Sequence, residues 1–259
     1  MVFENLLVSI EDGILTIMVN RPVKLNALTG FTVWEIGRAM EEAVADPLVR
    51  GIIITGAGSK AFVAGADIAE IAGFSSEQVN AMAAAGQLVF RSIEESSKPV
   101  IAAINGYALG GGCELAMACH LRVASENARF GQPEVNLGLI ACYGGTQRLT
   151  QLIGKSKSME LHLTADHITA AQALDLGLVN YITTEAELMS TCRKLMGKII
   201  SKAPVALAGV IACVNAFYTE GADGYEAERV EFDKCFSTND FKEGASAFLE
   251  KRKPVFSGS

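Results

Sequence analysis

Residues 105–116 of this 259-residue chain read NGYALGGGCELA, and this stretch says most about the fold. It follows residues 100–104, a continuous apolar run of the kind that is buried on both faces of a parallel sheet. The glycines at 110 to 112 then open a helix, whose free N–H groups carry partial positive charge. The stretch therefore predicts a buried strand, a glycine-rich loop and a helix start that a ligand can approach closely.

A second glycine-bearing loop has the same relation to a strand. Residues 61–68 read AFVAGADI and come soon after the buried run at residues 51–55. Because the carboxyl ends of parallel strands meet at one edge of a sheet, we expect the two loops to lie together. One backbone N–H from each loop would form an oxyanion hole, which stabilises negative charge on a carbonyl oxygen. Tight packing of helix against sheet is the alternative explanation for either glycine run.

Two glutamates occupy positions from which they could transfer protons beside such a site. Glu114 falls in the first turn of the predicted helix among apolar neighbours, which argues against an ordinary solvated surface position. Glu134 ends the sequence FGQPE at residues 130–134, a predicted loop with no structural need for a carboxylate. Two carboxyl groups next to a polarised carbonyl suit general acid and base catalysis there.

The sequence lacks complete motifs for dinucleotide binding, serine hydrolysis, nucleotide phosphate binding and metal binding. Residues 56–61 read GAGSKA and match the dinucleotide fingerprint G-x-G-x-x-A, but Gly65 interrupts the helix that should follow. No strand ending in an acidic residue arrives about 20 residues later, so a plain turn is preferred and dinucleotide binding is the alternative. The sequence has no G-x-S-x-G turn and no Walker loop, and the spacing of His120, His162 and His167 does not suit a metal site.

Composition bounds the partners and the compartment. With 22 basic and 29 acidic residues the formal net charge is -7, which argues against nucleic acid and anionic membrane as partners. The six cysteines form no C-x-x-C pair and lie among apolar residues, as reduced thiols do. The chain begins without a signal-peptide pattern, and its longest apolar run, residues 203–214, is shorter than the ~20 residues of a membrane span. We expect a cytoplasmic protein.

Hydrophobic periodicity predicts an α/β protein whose later part is mostly helical. The residues before 131 alternate strand and helix, as a sheet with crossovers does, and begin with a hairpin at Asp12-Gly13. Capping boxes that open helices are predicted at Ser75, Thr169 and Thr184, and Gly177 is predicted to end a helix.

Six segments together resemble the crotonase superfamily, and more specifically the enoyl-CoA hydratases. They are NRP at residues 20–22 with LNAL at 25–28, AFVAGADI at 61–68, NGYALGGGCELAM at 105–117, FGQPE at 130–134, GGTQRL at 144–149 and AFLEKRK at 247–253. The resemblance implies a crotonase-like spiral of ββα units that forms two near-perpendicular sheets, with a helical C-terminal region. The core is expected in residues 1–195 and the oligomerisation region in residues 196–259, which would build homotrimers that commonly pair into hexamers.

The resemblance also implies an activity, the reversible hydration of 2-trans-enoyl-CoA to 3-hydroxyacyl-CoA, as in fatty-acid β-oxidation. The N–H groups of Ala66 and Gly111 become the oxyanion hole for the thioester oxygen. Glu114 and Glu134 become the pair that activates water for attack at C3 and delivers a proton to C2. Coenzyme A is part of the substrate, so the family implies neither a separate cofactor nor a metal.

A further set of residues falls where the family holds the coenzyme A part of the substrate. These residues are Lys24, Ala64, Asp67, Ile68, Phe232 and Lys251. Phe232 and Lys251 would come from a neighbouring subunit.

One departure from the family concerns the water. Hydratases of the family usually carry Pro-Gly where this chain has Ala141-Cys142, and the N–H of that glycine helps to hold the attacking water. Cys142 keeps the N–H but adds a side chain where space is limited or where a positive φ is needed. The alternative to a working hydratase is therefore a homologue that binds coenzyme A thioesters with weak or different activity, as an isomerase or as a subunit of an assembly.

Overall fold

The computed structural model describes residues 3–259. Their strands, in chain order, are β1 (Leu6–Glu11), β2 (Ile14–Val19), β3 (Gly51–Gly56), β4 (Ala61–Val63), β5 (Val100–Ile104), β6 (Tyr107–Leu109), β7 (Leu121–Ser125), β8 (Arg129–Gly131), β9 (Ile168–Thr169) and β10 (Tyr181–Thr183). The α-helices are α1 (Gly30–Ala45), α2 (Ile68–Ile71), α3 (Ser76–Glu94), α4 (Gly111–Ala118), α5 (Gly145–Ile153), α6 (Lys155–Thr164), α7 (Ala170–Asp175), α8 (Leu188–Ile200), α9 (Pro204–Ala216), α10 (Gly224–Phe236) and α11 (Asn239–Leu249).

The strands form two sheets, as the family resemblance predicts. The larger sheet has the order β1-β2-β3-β5-β7-β10, and only its β1–β2 hairpin is antiparallel. The smaller sheet has the order β4-β6-β8-β9, with β9 antiparallel to β8. Helical crossovers connect the parallel strands of the larger sheet, which agrees with the alternation of strand and helix in the sequence.

Alternate residues of the central strands face different layers, which explains why these strands read as unbroken apolar runs. Ile52 and Ile54 of β3 lie in the main core, whereas Ile53 faces the cluster formed with Cys192 and Met196 of α8. A strand covered on both faces has no solvent side and therefore carries no polar alternation. The expected boundary after residue 195 falls inside α8, because this helix still packs on the sheet and its Met196 is buried.

The ends of four predicted helices can be compared with the structure. The capping boxes at Ser75 and Thr169 are confirmed by reciprocal hydrogen bonds with Gln78 and Gln172, and Gly177 follows the end of α7 with a φ of +77°. The prediction of a capping box at Thr184 is wrong. The Thr184 hydroxyl bonds the carboxylate of Glu187 at 2.8 Å instead of capping a backbone N–H.

Three segments that the sequence assigns to loops are regular structure. Residues 61–63 and 107–109 form the short strands β4 and β6. In the predicted loop at residues 130–134, the first two residues belong to β8 and the last begins a 3-10 helix (Glu134–Leu137). Three-residue strands are too short to show a period-2 pattern, so they are defined only by pairing, of β4 with β6 and of β6 with β8.

The C-terminal helices leave the sheets and expose much apolar surface. α9 packs along α10, yet Gly209 is its one buried residue. Within residues 3–259 none of the helices is by itself long and apolar enough to cross a bilayer, although the bent pair of residues 185–200 and 204–216 passes that test jointly.

Candidate active site

Two buried asparagines fix the loops that follow β3 and β5. The Asn105 amide donates to the carbonyl oxygens of Gly56 and Gly58 at 2.8 and 2.6 Å. Asn26 donates to those of Ala57 and Ala61 at 3.0 and 2.8 Å. The GAGSKA segment is therefore a turn held by side chains that leads into β4. No helix follows it, so the dinucleotide alternative lacks the helix N-terminus that would bind a pyrophosphate.

The second loop presents the N–H of Ala66. A bridge to Leu28 pins both neighbours, because Leu28 N donates to Gly65 O at 2.8 Å and Asp67 N donates to Leu28 O at 2.7 Å. The N–H of Ala66 itself donates to no protein acceptor within residues 3–259. Gly65 has a φ of +109°, a conformation that only glycine adopts without strain.

The first residue of α4 lies beside Ala66. As the N1 residue, Gly111 has an N–H that the helix cannot satisfy internally. A methyl group added to Gly111 would lie 3.7 Å from the nitrogen of Ala66, so the two backbone donors are neighbours. This pair has the composition of an oxyanion hole: one N–H from each glycine loop, with the helix N-terminus behind it.

Glu114 is a buried carboxyl with one oxygen committed to the backbone. Its side chain is on the first turns of α4 and the residue is only 1% exposed. Oε1 accepts the N–H groups of Tyr143 and Gly145, both at 2.7 Å. Burial raises the pKa of Glu114 to about 7. The nearby Glu134 carboxylate also raises it, while the two backbone donors and Arg148 lower it.

Glu134 reaches the same place from the smaller sheet. It opens the 3-10 helix that follows β8 and is half-buried, and its burial raises the pKa of its carboxyl. With its nitrogen turned towards the carboxylate, the Gln132 amide lies 3.1 and 3.2 Å from the two Glu134 oxygens. A methyl group on Gly110 would lie 2.7 Å from Oε1 of Glu134. The carboxyl therefore lies over the glycine loop that leads to Gly111.

Cys142, the residue expected to depart from the family, adopts a backbone conformation without strain. Its φ lies outside the left-handed region, and its N–H donates to no protein acceptor in the described chain. Its carbonyl accepts the Gln87 amide at 2.9 Å. Burial, followed by the negative charges of Glu114 and Glu134, raises the pKa of the thiol to about 12, so the thiol is protonated and points to no nucleophilic role.

Four of the residues expected to hold coenzyme A lie on or beside the loop that carries Ala66. Lys24 ends an exposed 3-10 helix (Pro22–Lys24), and Ile68 opens α2 with its side chain exposed. The N–H of Ala64 donates to Leu25 O at 3.1 Å, and its carbonyl accepts no hydrogen bond from the described residues. The fourth residue, Asp67, has its side chain occupied by Arg21 at 2.9 Å, and that hydrogen bond lowers its pKa.

The other two lie in the C-terminal region. Phe232 is on α10 and 72% exposed, and Lys251 follows α11. Within residues 3–259, neither makes a hydrogen bond or ion pair with the loop that carries Ala66. The same part of the chain contains no group of three or more His, Cys, Asp or Glu side chains arranged to hold a metal ion.

Sequence reasoning missed the residues that support Glu114. Tyr143 and Gly145 donate to its carboxylate, and Arg148 binds the carbonyl oxygen of Tyr143. The ring of Tyr143 is buried against Phe90, and a methyl group on Gly86 would overlap it. The only available signal was the segment GGTQRL, whose glycines leave room for close contacts but do not reveal the partner.

Comparisons with known proteins agree on one family. The family model described as enoyl-CoA hydratase/isomerase matches residues 9–259. The crotonyl-CoA hydratase of Syntrophomonas wolfei is 46% identical over 257 residues, which cover 99% of each chain. The short-chain-enoyl-CoA hydratase of Clostridium acetobutylicum is 44% identical, covering 98% of this chain and 97% of its own. The crystal structure of enoyl-CoA hydratase from Bacillus anthracis has a TM-score of 0.94 at 35% identity, covering 99% of this chain and 100% of that one.

Proposed function

The chain belongs to the enoyl-CoA hydratase/isomerase family, and from this premise we propose that it catalyses the reversible addition of water to a 2-enoyl-CoA thioester. The observation that carries the proposal is the arrangement of two partly or fully buried carboxyls around a pair of unpartnered backbone N–H groups. A thioester carbonyl bound to that pair would present its C2 and C3 atoms to Glu114 and Glu134.

The N–H groups of Ala66 and Gly111 polarise the thioester. Both donors are directed by the fold before substrate arrives, so they need no reorganisation as negative charge develops on the oxygen. The N-terminus of α4 adds its partial positive charge at the same point. Withdrawal of electrons towards this oxygen makes C3 electrophilic and stabilises the enolate that forms when water attacks there.

Glu114 and Glu134 divide the proton transfers between them. Oε1 of Glu114 is taken by two N–H donors, which leaves Oε2 to accept a proton from the attacking water. The partner carboxyl, when protonated, supplies the proton for C2. One carboxyl must therefore be ionised and the other protonated. Burial raises the pKa of both carboxyls, that of Glu114 to about 7, and so favours retention of one proton by the pair. The free N–H of Cys142 would help to hold the water.

Binding of coenzyme A is proposed for the residues around the Ala66 loop. Lys24 offers a positive charge for a phosphate and the Ala64 carbonyl a free acceptor. The ion pair with Arg21 gives Asp67 the additional task of holding this loop. Ile68 would contribute apolar contact, and Phe232 and Lys251 would complete the pocket from a neighbouring subunit of a cytoplasmic homotrimer or homohexamer.

A direct test is hydration of crotonyl-CoA, followed by the loss of absorbance of the conjugated enoyl thioester. We expect turnover by the wild-type protein and its loss in Gly111→Pro, which lacks one oxyanion donor worth about 3 kcal/mol in the transition state. Circular dichroism and thermal unfolding serve as controls, because proline could also disturb the start of α4. A folded Gly111→Pro protein with normal turnover would remove Gly111 from the mechanism.

A second candidate function follows from Cys142. Its half-buried thiol lies close enough to Glu114 and Glu134 for both charges to raise its pKa. If that side chain excludes the water, the protein would bind coenzyme A thioesters and move protons without hydrating them, as an isomerase does. Conversion of a 3-enoyl-CoA without hydration of crotonyl-CoA would favour this function.

A further inference from the structure

Arg148 is a buried arginine that links the carboxyl end of α3 to the turn that supports Glu114. It is 8% exposed and lies on α5. Its Nε and Nη2 donate to Oε2 of Glu94 at 3.1 and 2.8 Å, while Nη1 donates to the carbonyl oxygen of Tyr143 at 2.8 Å. A buried guanidinium whose donors are divided between a carboxylate and a loop carbonyl fixes the distance between them.

The turn at residues 143–145 lies between Arg148 and Glu114. Its N–H groups at Tyr143 and Gly145 bind Oε1 of Glu114, and its carbonyl at Tyr143 binds Arg148. Gly144 in the middle has a φ of +100°, and a methyl group there would overlap the guanidinium of Arg148. The turn therefore packs directly on the arginine, and movement of Arg148 would change the direction of both N–H groups.

Glu94 is itself a fixed partner. Its backbone carbonyl accepts Nε2 of His120 at 3.1 Å and the Asn215 amide at 2.7 Å. His120 accepts the N–H of Val100 on Nδ1 at 2.9 Å, so its proton is on Nε2. Burial lowers the pKa of His120, which keeps the ring neutral. The ion pair of Glu94 with Arg148 is thus anchored to β5 and to α9.

The charged groups that act around Glu114 are few. They are Glu134 beyond the glycine loop, Arg148 on α5 with its partner Glu94 on α3, and Arg122, which binds Cys119 O at the far end of α4. Among the other titratable groups of residues 3–259 that lie near this turn, Cys113, Cys142 and Tyr143 have raised pKa values and are uncharged near neutral pH. The pKa of His162, beside the backbone of Gly145, is lowered by burial, and Glu70 adds a negative charge that acts on Tyr143. Arg148 therefore supplies the positive charge that favours the Glu114 carboxylate.

We propose that Arg148, held by Glu94, is a positioning residue that keeps the turn at residues 143–145 directed at Glu114. The inference rests on the hydration chemistry proposed above. Its hydrogen bond to the Tyr143 carbonyl orients the two N–H donors, and its positive charge lowers the pKa of Glu114 against the larger effect of burial.

The positive charge of Arg148 determines the direction in which its removal should move the pH–kcat profile. Without Arg148 the Glu114 carboxylate is less stable, its pKa rises, and the pH–kcat profile moves to higher pH. Arg148→Gln should therefore displace the profile upwards by about one pH unit and lower kcat about 10–100-fold, with little change in KM. Arg148→Lys keeps the positive charge but loses the guanidinium that donates to both Glu94 and the Tyr143 carbonyl. It should therefore lower kcat with a much smaller displacement of the pH–kcat profile.

Glu94→Gln should displace the profile in the opposite direction. Removing the partner leaves the Arg148 charge uncompensated, which lowers the pKa of Glu114, while the loosened guanidinium still lowers kcat. Because the side chain of Glu94 is 33% exposed, this displacement should be smaller than that of Arg148→Gln. General damage to the fold cannot move the two profiles in opposite directions, so the pair of variants separates positioning from a merely structural role.

Arg91→Gln is the matched control. Arg91 lies one turn before Glu94 and lines the same cavity of about 710 Å³ as Arg148, but its ion pair with Glu95 is long, 3.8 Å, and exposed. Its removal should leave the profile in place. Uniformly reduced kcat in Arg148→Gln, Arg148→Lys and Glu94→Gln, with no displacement of the profile, would overturn the proposal.

A second readout does not depend on catalysis. In an infrared pH titration, the carbonyl stretch of a protonated carboxyl that disappears in Glu114→Gln reports the ionisation of Glu114 directly. We expect its midpoint to rise in Arg148→Gln and to fall in Glu94→Gln, and an unchanged midpoint in both would contradict the inference. If wild-type protein fails to hydrate crotonyl-CoA while these midpoints shift, the proposed function fails and the role of Arg148 stands.

Discussion

At the residue scale, Glu114 and Glu134 are unequal partners because their surroundings differ. Glu114 is buried on α4 and has two backbone donors on one oxygen, whereas Glu134 is half-buried with an amide beside it. The donors favour ionised Glu114, while burial opposes charge on either carboxyl. This balance suits a pair that shares one proton.

Removal of either carboxyl should therefore cause most of the loss of kcat that removal of both would cause. Glu114→Gln and Glu134→Gln should each lower kcat by about 10²–10⁴-fold with little change in thioester affinity. The double variant should be hardly slower than the worse single variant, because both groups serve one water. Stopped-flow hydration of crotonyl-CoA measures kcat, and retention of the wild-type rate in either single variant would rule out this assignment.

The same pair predicts a bell-shaped dependence of kcat on pH. As pH falls through the lower pKa both carboxyls are protonated and no base remains for water. As pH rises through the higher pKa, no proton remains for C2. Because burial raises both values from 4.5 and takes Glu114 to about 7, the acid limb should lie above pH 4.5 and the alkaline limb near pH 7 or higher. Full activity at pH 4.5 would contradict this.

Cys142, with Ala141, is where the sequence analysis expects a departure from the family. Its N–H is free and its backbone is unstrained, so any loss of rate must come from the side chain. The double variant Ala141→Pro with Cys142→Gly should raise kcat and leave thioester binding nearly unchanged. Cys142→Ser, which keeps the size of the side chain, is the matched control and should stay close to wild type. A double variant no faster than wild type would mean that the thiol does not crowd the water.

At the scale of elements, the strand–loop–helix unit that ends in α4 brings the site together. Gly110 has a φ of +50° and leaves no room for a side chain beside Oε1 of Glu134. Gly110 is also the N-cap residue of α4, so its conformation sets the directions of both the Gly111 N–H and the Glu114 side chain. Glycine at position 110 is therefore required by backbone conformation and by the approach of Glu134 together.

Gly110→Ala should accordingly damage catalysis more than stability. The new methyl group would lie 2.7 Å from Oε1 of Glu134 and displace it, so we expect kcat to fall at least ~10-fold. Gly221→Ala is the matched control, since Gly221 also has a positive φ, +77°, but no atom lies within 4 Å of the added methyl. Both variants should lose about 1 kcal/mol of unfolding free energy from backbone strain. Equal kcat in the two variants would show that Gly110 acts through conformation alone.

At the scale of the whole molecule, the C-terminal helices expose more apolar surface than their own contacts cover. Large side chains that are at least half exposed occur on α9 to α11 and just after them: Val210, Val214, Phe217, Tyr218, Tyr225, Phe232, Phe236, Phe248, Leu249 and Val255. An apolar surface of this extent is typical of a protein–protein interface. It supports the proposed homotrimer or homohexamer.

Assembly and coenzyme A binding should therefore be linked. Sedimentation at micromolar concentration should give trimers or hexamers, and Lys251→Glu should raise KM for crotonyl-CoA because it puts negative charge near a phosphate. Lys194→Glu makes the same change of charge at an exposed lysine on α8 and should leave KM unchanged. A monomer with full activity would contradict both the assembly and the shared pocket.

Local sequence was enough to predict the buried strands, the unusual glycine conformations and the burial of Glu114. The buried strands β3 and β5 appear as unbroken apolar runs because both faces of the sheet are covered. The glycines at 65 and 110 mark backbone conformations that other residues avoid, and the apolar neighbours of Glu114 mark an unusual carboxyl. Each of these signals lies within a few residues of the feature it predicts.

Only the tertiary structure decided which groups meet. Glu114 finds its two N–H donors 29 and 31 residues further along the chain, and Arg148 finds Glu94 at a separation of 54. β4 is defined by its pairing with β6, and β6 by its pairing with β4 and β8, because three residues are too few to show a pattern of their own. Local sequence fixes backbone conformation and burial tendency, whereas the partner of a buried polar group depends on how distant segments pack, and for this reason the support of Glu114 was invisible before the fold was known.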